Sequence, residues 1–336
     1  MTSGSSHGLR FLAAADVGAA MPPLDERLRL AERTMTALAD GSAELPPKIA
    51  VHPRPDGSFA HAMPAHLRGA DAGATDDLLG IKWIAGFPAN RTAGIPAIHG
   101  LVLLSDPATG EPAAILDAGP ITAERTAAVS GVAISRFAPA VTGRSTRAAI
   151  LGAGVQGRSH LAVLAHLLPG VELSVYDRHP DRAVAFAEEA SALAGIGAAR
   201  GTTTAIEATR EADIVITAAS FAPAAERQTL TVDWLAPAAL VVAVDYATYV
   251  AASVAHAAAL FLTDQREQFL ANRDAGNFDG YPDPAATIGE AILAGTPRPA
   301  GRVLVSHLGV GLADLVFGDA ILRRAEAAGL GTILKG

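Results

Sequence analysis

Gly152-Ala153-Gly154-Val155-Gln156-Gly157 follows the apolar run Ala148–Leu151 and precedes a helical period, and it is the first place where residue types and spacing imply chemistry. A G-x-G-x-x-G set between a strand and a helix suits a dinucleotide pyrophosphate. Gly152 permits the tight turn, Gly154 lets the backbone approach the phosphates, and Gly157 lets helix and strand pack closely. The helix N-terminus adds N–H groups and partial positive charge. Asp177, 20 residues beyond Gly157, ends the next predicted strand. A carboxylate there accepts the ribose hydroxyls of an adenosine and repels a 2′-phosphate, which favours NAD. Arg178 beside it keeps NADP open, because a guanidinium pairs with that phosphate. Thr217 and Ala218 close the fourth predicted strand, with Ala219 next. They stand either on the nicotinamide side of the sheet edge or beneath a loop as packing.

These residues need a sheet to hold them. From Thr146 onward, strands are predicted at Arg147–Leu151, Glu172–Tyr176, Ile214–Ala218, Leu240–Val244 and Leu260–Thr263. Helices are predicted at Gly157–Leu168 and Asp181–Ala194, with a weak strand near Ala199–Thr203 and a short helix at Ile206–Ala212. Strand and helix in alternation imply parallel pairing, so the segment reads as an α/β, Rossmann-type doubly wound sheet. Upstream, a helix at Pro23–Asp40 and short strands at Lys48–His52, Phe59–Met63, Leu79–Ile84 and Ile98–Ser105 read as α+β, with turns at Asp56-Gly57 and Thr109-Gly110. Thr122–Phe137 is one long amphipathic helix that bridges the two parts. Helices at Ala285–Ala294 and Asp314–Ala328 follow, the last returning to the first part. The expectation is therefore a discontinuous α+β domain, 9–125 and 310–336, and a dinucleotide-binding domain, 126–309. Asp71–Asp77 reads as a mobile loop and Met1–Gly8 as a frayed leader without signal-peptide character.

Composition narrows the chemistry. The 336 residues carry 26 Lys plus Arg against 34 Asp plus Glu, a formal charge of −8, so no general basic field exists for nucleic acid or an anionic membrane. With 5% aromatic residues, a base-stacking platform is also not expected. Zero Cys removes disulfides, thiolate catalysis and Cys-ligated metals, and fits a cytoplasmic protein. The apolar stretch Leu240–Leu262 is interrupted by Asp245, Ser253 and His256, and reads as buried strands rather than a membrane span. His61 and His66 have no Cys or carboxylate cluster beside them, so no metal is expected.

Several motifs in order resemble the ornithine cyclodeaminase and mu-crystallin family over most of the chain. They are Gly80-Ile81-Lys82-Trp83 with Pro88-Ala89-Asn90 and Gly94-Ile95-Pro96, then Leu104-Ser105-Asp106 with Thr109-Gly110-Glu111-Pro112. Asp117, Ile121-Thr122-Ala123-Glu124-Arg125-Thr126-Ala127-Ala128, the loop Leu151 to Gly157, and Gly309-Val310-Gly311-Leu312-Ala313-Asp314 continue the series. The resemblance implies a homodimer with a substrate-binding and dimerisation domain and a domain holding NAD(P). Its members act on α-amino or α-imino acids.

Carried over by position, Lys82 and Arg125 are implied to hold a substrate carboxylate, with Lys48 where the family often has Arg. Asp245 lies near the family's catalytic carboxylate. Physically, Arg grips two oxygens while Lys is a point charge, and such a clamp would orient the α-carbon over a nicotinamide. The proton on nitrogen is assigned to Asp245 or to Lys82, whose pKa other cations would lower. His61, before Ala62-Met63-Pro64, replaces a Glu that faces the distal amine in ornithine cyclodeaminases, so ornithine specificity is expected to be lost. His61, His99 and Tyr246 are then expected to line the pocket for a different side chain, acidic or small, with Met63 among the substrate-binding residues.

The resulting expectation is an NAD(P)H-dependent reductase or dehydrogenase acting on the C=N or CH–NH bond of an α-imino or α-amino acid. Two alternatives remain open. One is an ornithine or lysine cyclodeaminase that releases ammonia with catalytic NAD, and the other a non-enzymatic, mu-crystallin-like NAD(P) and ligand-binding protein.

Overall fold

The computed structural model describes residues 8–54, 57–69, 76–220, 222 and 224–334. It divides into two compact units, 1–125 with 310–336 and 126–309. Within the expected mobile loop, residues 71–75 lie outside the described residues, as do Asp56 of the predicted turn and residues 1–7 of the leader.

The first unit carries β1 (Leu9–Leu12), α1 (Ala14–Ala19), α2 (Leu24–Asp40), β2 (Ala43–Glu44), β3 (Ile49–Val51), β4 (Phe59–Leu67), β5 (Leu78–Gly86), β6 (Ile98–Ser105) and β7 (Pro112–Asp117). Acidic Asp25 and Glu26 in the first turn of α2 complement the helix dipole, and Gly41 at φ +79° ends the helix in a left-handed conformation. Strands β4 to β7 pair antiparallel in sequence order, and β1 lies parallel to β7. β5 alternates buried and less buried positions, so Lys82 points to the covered face while Trp83 does not.

Helix α3 (Ala118–Phe137) starts one turn before the expected Thr122, because Pro120 in the first turn needs no N–H there. The division between units falls within it, after Arg125.

The second unit holds β8 (Arg147–Leu151), α4 (Val155–Leu167), β9 (Val171–Tyr176), α5 (Pro180–Ser191), β10 (Ile196–Gly201), α6 (Ala205–Thr209), β11 (Ile214–Thr217) and β12 (Leu240–Ala243). It continues with α7 (Ala252–Ala257), β13 (Leu260–Thr263), α8 (Arg266–Asp274), β14 (Ala286–Thr287), α9 (Ile288–Leu293) and β15 (Val303–Ser306). The strands run in the order β10-β9-β8-β11-β12-β15-β13-β14, all neighbours parallel. The order reverses between β8 and β11, the topological switch point of a doubly wound α/β sheet. β11, β12 and β15 are buried at every position, as strands covered on both faces must be. β15 was not expected: a run of four apolar or small residues gives no period to read. The helix expected at Ala285–Ala294 begins only at Ile288, where Thr287 and Glu290 form a capping box.

α10 (Gly311–Ala327) and β16 (Thr332–Leu334) return to the first unit, β16 pairing antiparallel with β1. Among the described residues no helix is long and apolar enough to cross a membrane.

Candidate active site

In the second unit the glycine loop is shaped by close backbone approach. Gly152 has φ +115°, and a Cβ there would lie 2.5 Å from the Ala218 carbonyl oxygen. A Cβ on Gly157 would come within 2.1 Å of the Gly152 oxygen. Neither position tolerates a side chain without moving the loop. Gly154 faces open space, with nothing within 4 Å of a built Cβ. The helix begins at Val155, two residues before the expected Gly157, so Val155, Gln156 and Gly157 form its first turn. Val155 is 71% exposed, and the Gln156 Oε1 is buried with no hydrogen-bond partner.

Asp177 is tied to this loop. Its Oδ2 accepts the Ala153 N–H at 2.9 Å and its Oδ1 accepts the His179 N–H at 2.9 Å. Each oxygen keeps lone-pair capacity for a further donor. Arg178 is exposed. Open space at Gly154, a helix N-terminus, a fixed carboxylate and an unpartnered amide oxygen fit a dinucleotide.

Thr217 does something not foreseen. Its side chain is fully buried and its hydroxyl donates to Asp245 Oδ1 at 2.7 Å, while the Ala219 N–H donates to Asp245 Oδ2 at 3.1 Å. Thr217 therefore holds Asp245 rather than lining open space, and Ala218 packs its carbonyl against Gly152. Burial pushes the Asp245 carboxyl up to about 7, against the two hydrogen bonds that favour its charged form. Tyr246, next in the chain, has φ +59° and stacks on Phe278 at 5.7 Å.

A polar seam the sequence reading missed runs beside the loop. Ser130 Oγ lies 2.8 Å from His160 Nε2 and 2.9 Å from His307 Nε2, and His160 Nδ1 donates to the Gln156 carbonyl at 2.6 Å. That last bond fixes the proton on Nδ1, so Nε2 accepts from Ser130 and Ser130 accepts from His307. Burial lowers His160 to about 4, leaving it neutral.

In the first unit Lys82 and Arg125 do meet, and they meet around a carboxylate. Lys82 Nζ donates to Asp314 Oδ1 at 2.7 Å and to Thr122 Oγ1 at 2.8 Å, and Arg125 Nε donates to the same Asp314 oxygen at 3.3 Å. The four side chains come from three elements, β5, α3 and α10. Thr122 and Arg125, three apart, share one helix face, and Asp314 sits in the first turn of α10, where the dipole favours an anion. A Cβ on Gly311 would strike the Met63 carbonyl at 2.7 Å, so glycine is what lets α10 start against β4. Lys82, Arg125 and Asp314 are 1%, 6% and 0% exposed. Burial, opposed by Asp314 and assisted by Arg125 and Lys48, brings the Lys82 ammonium down to about 7. Asp314 had stood in the sequence only as the end of a motif; a carboxylate among Leu312, Ala313, Leu315 and Val316 was the available signal.

The remaining candidates lie on the same sheet. Met63 is buried and stands directly across from Lys82 in the β4–β5 ladder, with His61 across from Ile84. His61 stacks on Phe59 at 4.5 Å. Burial lowers its imidazole to about 4, and the positive charges of Lys48, His52 and Lys82 act in the same direction. Among the described residues no group of three or more His, Cys, Asp or Glu is placed to hold a metal ion.

Comparison with known proteins agrees with this architecture. Residues 10–292 match the model of the ornithine cyclodeaminase/mu-crystallin family. The chain is 32% identical to the nodulation efficiency protein NfeD of Rhizobium meliloti, over 97% of this chain and 98% of that one. It is 28% identical to the mouse ketimine reductase mu-crystallin, over 88% of each. Among solved structures it is similar to the Thermococcus litoralis Δ1-pyrroline-2-carboxylate reductase in complex with NADH and L-proline, with a TM-score of 0.83 and 26% identity, covering 97% of this chain and 100% of that one. An archaeal alanine dehydrogenase dimer with bound NAD gives a TM-score of 0.82 at 24% identity, covering 97% and 99%. The chain belongs to the ornithine cyclodeaminase/mu-crystallin family.

Proposed function

We propose that the protein is an NAD(P)H-dependent reductase or dehydrogenase acting on the C=N or CH–NH bond of an α-imino or α-amino acid. The observation that carries this reading is the convergence of Lys82 and Arg125 on Asp314. One carboxylate shared by two buried cations leaves positive charge for an anion. Lys82 has three N–H donors, of which Thr122 and Asp314 take two, and the guanidinium of Arg125 keeps its terminal nitrogens. Those donors grip the substrate carboxylate and fix the reacting carbon beside it. NADH, bound through Gly152 to Gly157 with Asp177 on its ribose, supplies the reducing equivalent. Two groups are tuned near neutrality for the proton on nitrogen, Lys82 and Asp245.

The relatives support the reading: the mouse protein is described as a ketimine reductase, and the Thermococcus enzyme is bound to NADH and L-proline. His61 argues against the cyclodeaminase alternative, since a neutral imidazole among positive charges does not hold a distal ammonium. A homodimer is part of the proposal. Trp83 and Leu101 stand opposite one another in the β5–β6 ladder and are 47% and 43% exposed, an apolar patch of the kind that oligomers cover.

The test is consumption of NADH, and separately of NADPH, with a panel of cyclic imino acids and of keto acids mixed with ammonium. NADH oxidation with at least one of them is expected. No oxidation with any of them, or ammonia release from ornithine without net NADH change, overturns the reading.

A further inference from the structure

Among the described residues other than glycine, only Gln228 and Tyr246 have a positive φ, both at +59°, and they meet in one turn beside Asp245. The Asp245 carbonyl accepts the Thr248 N–H at 3.2 Å, which closes a four-residue turn with Tyr246 in its second position. Glycine is the usual occupant where that position takes positive φ, because a bulky side chain there crowds the backbone. The Gln228 N–H donates to the Thr248 carbonyl of the same turn at 3.1 Å.

Residues 278–281 hold this strained segment. The Tyr246 ring stacks on Phe278 at 5.7 Å with 27° between the planes. Phe278 is fully buried and packs on Phe269 and Tyr281, so the stack rests on a fixed platform. Gln228 Nε2 donates to the Asp279 carbonyl at 2.9 Å while its Oε1 accepts the Ala252 N–H at 2.8 Å, and the Tyr281 hydroxyl donates to the Val250 carbonyl at 2.6 Å. Strained backbone persists only where its surroundings over-determine it, and it gathers where geometry serves function. What this turn fixes is the buried Asp245 carboxyl, one oxygen on the Thr217 hydroxyl and the other on the Ala219 N–H.

Resting on the assignment of Asp245 to the proton in the reaction proposed above, we propose that Tyr246 is a positioning residue. Its ring, stacked on Phe278, keeps the 245–248 turn in its strained form and so holds the Asp245 carboxyl at the end of β11. In the reductive direction the carboxyl gives its proton to nitrogen as hydride from NADH adds to carbon. The C=N bond becomes CH–NH, NADH becomes NAD+, and Asp245 is left as a carboxylate that solvent reprotonates. Removing the ring while keeping a Cβ leaves the strain uncompensated, and the turn relaxes. Removing the Cβ as well removes the strain, since glycine adopts positive φ freely.

The experiment compares the full-length protein with Tyr246→Phe, Tyr246→Ala and Tyr246→Gly in two measurements. One is infrared titration of the Asp245 carboxyl, its band assigned with Asp245→Asn, and the other is NADH oxidation with the imino acid that the wild type turns over best. Tyr246→Ala is expected to lower kcat and kcat/KM together by about tenfold, part of what a general acid supplies, with KM changed less than about twofold. Tyr246→Phe keeps the stack and Tyr246→Gly lacks the strain, so both are expected within about threefold of wild type. The carboxyl midpoint, about 7 in the wild type, should fall toward the ordinary 3.8 in Tyr246→Ala and not in Tyr246→Gly. Equal losses in Tyr246→Ala and Tyr246→Gly assign the effect to the ring itself and overturn the inference, as does a folded Tyr246→Ala with kcat and midpoint unmoved. Should Tyr246→Ala not fold, Phe278→Leu removes the stacking partner and is judged by the same two results. No NADH oxidation by the wild type with any imino acid overturns the reductase reading, and the carboxyl titration then decides by itself whether the turn holds Asp245.

Discussion

Lys82 and Asp314, 232 residues apart in the chain, form a buried ion pair of 2.7 Å, and Arg125 reaches the same carboxylate oxygen. Removing that carboxylate leaves two buried cations facing each other. Asp314→Asn is expected to cost about 3–5 kcal/mol of stability, the usual penalty for breaking a buried pair, as read by urea denaturation.

The same variant moves a pH profile in a defined direction. Asp314 opposes the burial and the neighbouring cations that bring Lys82 to about 7. In the proposed reaction the ammonium form is the one that binds the substrate carboxylate, so kcat/KM is expected to fall as pH rises through about 7 in the wild type. With Asp314→Asn the fall begins at lower pH, and a profile that does not shift would separate Lys82 from carboxylate binding.

Asp245 gives the opposite type of test, one of stability. Its carboxyl is raised from the ordinary 3.8 to about 7, so between those values the folded protein holds a proton that the unfolded chain has lost. The stabilising contribution is complete below about 4 and lost as pH rises toward 7. Denaturation of wild type and Asp245→Asn at pH 5 and pH 8 should show the variant gaining relative to wild type at the higher pH.

The loop glycines separate stability from binding. Gly157→Ala places a methyl 2.1 Å from the Gly152 oxygen and is expected to lower both the melting temperature and NADH affinity. Gly154→Ala meets open space, so stability should change by less than about 1 kcal/mol while NADH affinity falls at least about tenfold. Calorimetry and NADH fluorescence read the two quantities independently.

Ser130 bridges two buried imidazoles. Ser130→Ala removes the shared hydroxyl and is expected to cost about 1–3 kcal/mol, because a buried nitrogen loses its partner.

The local geometry of the glycine loop was legible in the chain itself. Its residues are contiguous, Gly152 to Gly157 between a strand and a helix with Asp177 at the next strand end, and local rules of turn and helix-terminus chemistry suffice to read them. The alternation in β5 likewise turned Lys82 inward. The partner of that lysine was not legible, because Asp314 belongs to a helix that returns to the first unit from the far end of the chain, and no local period records which strand such a helix covers. The same holds for Thr217, whose hydroxyl faces Asp245, and for Ser130 with its two histidines. Pairings between distant segments depend on how sheet and helices pack, and packing, not residue spacing, decides which buried charge finds which partner.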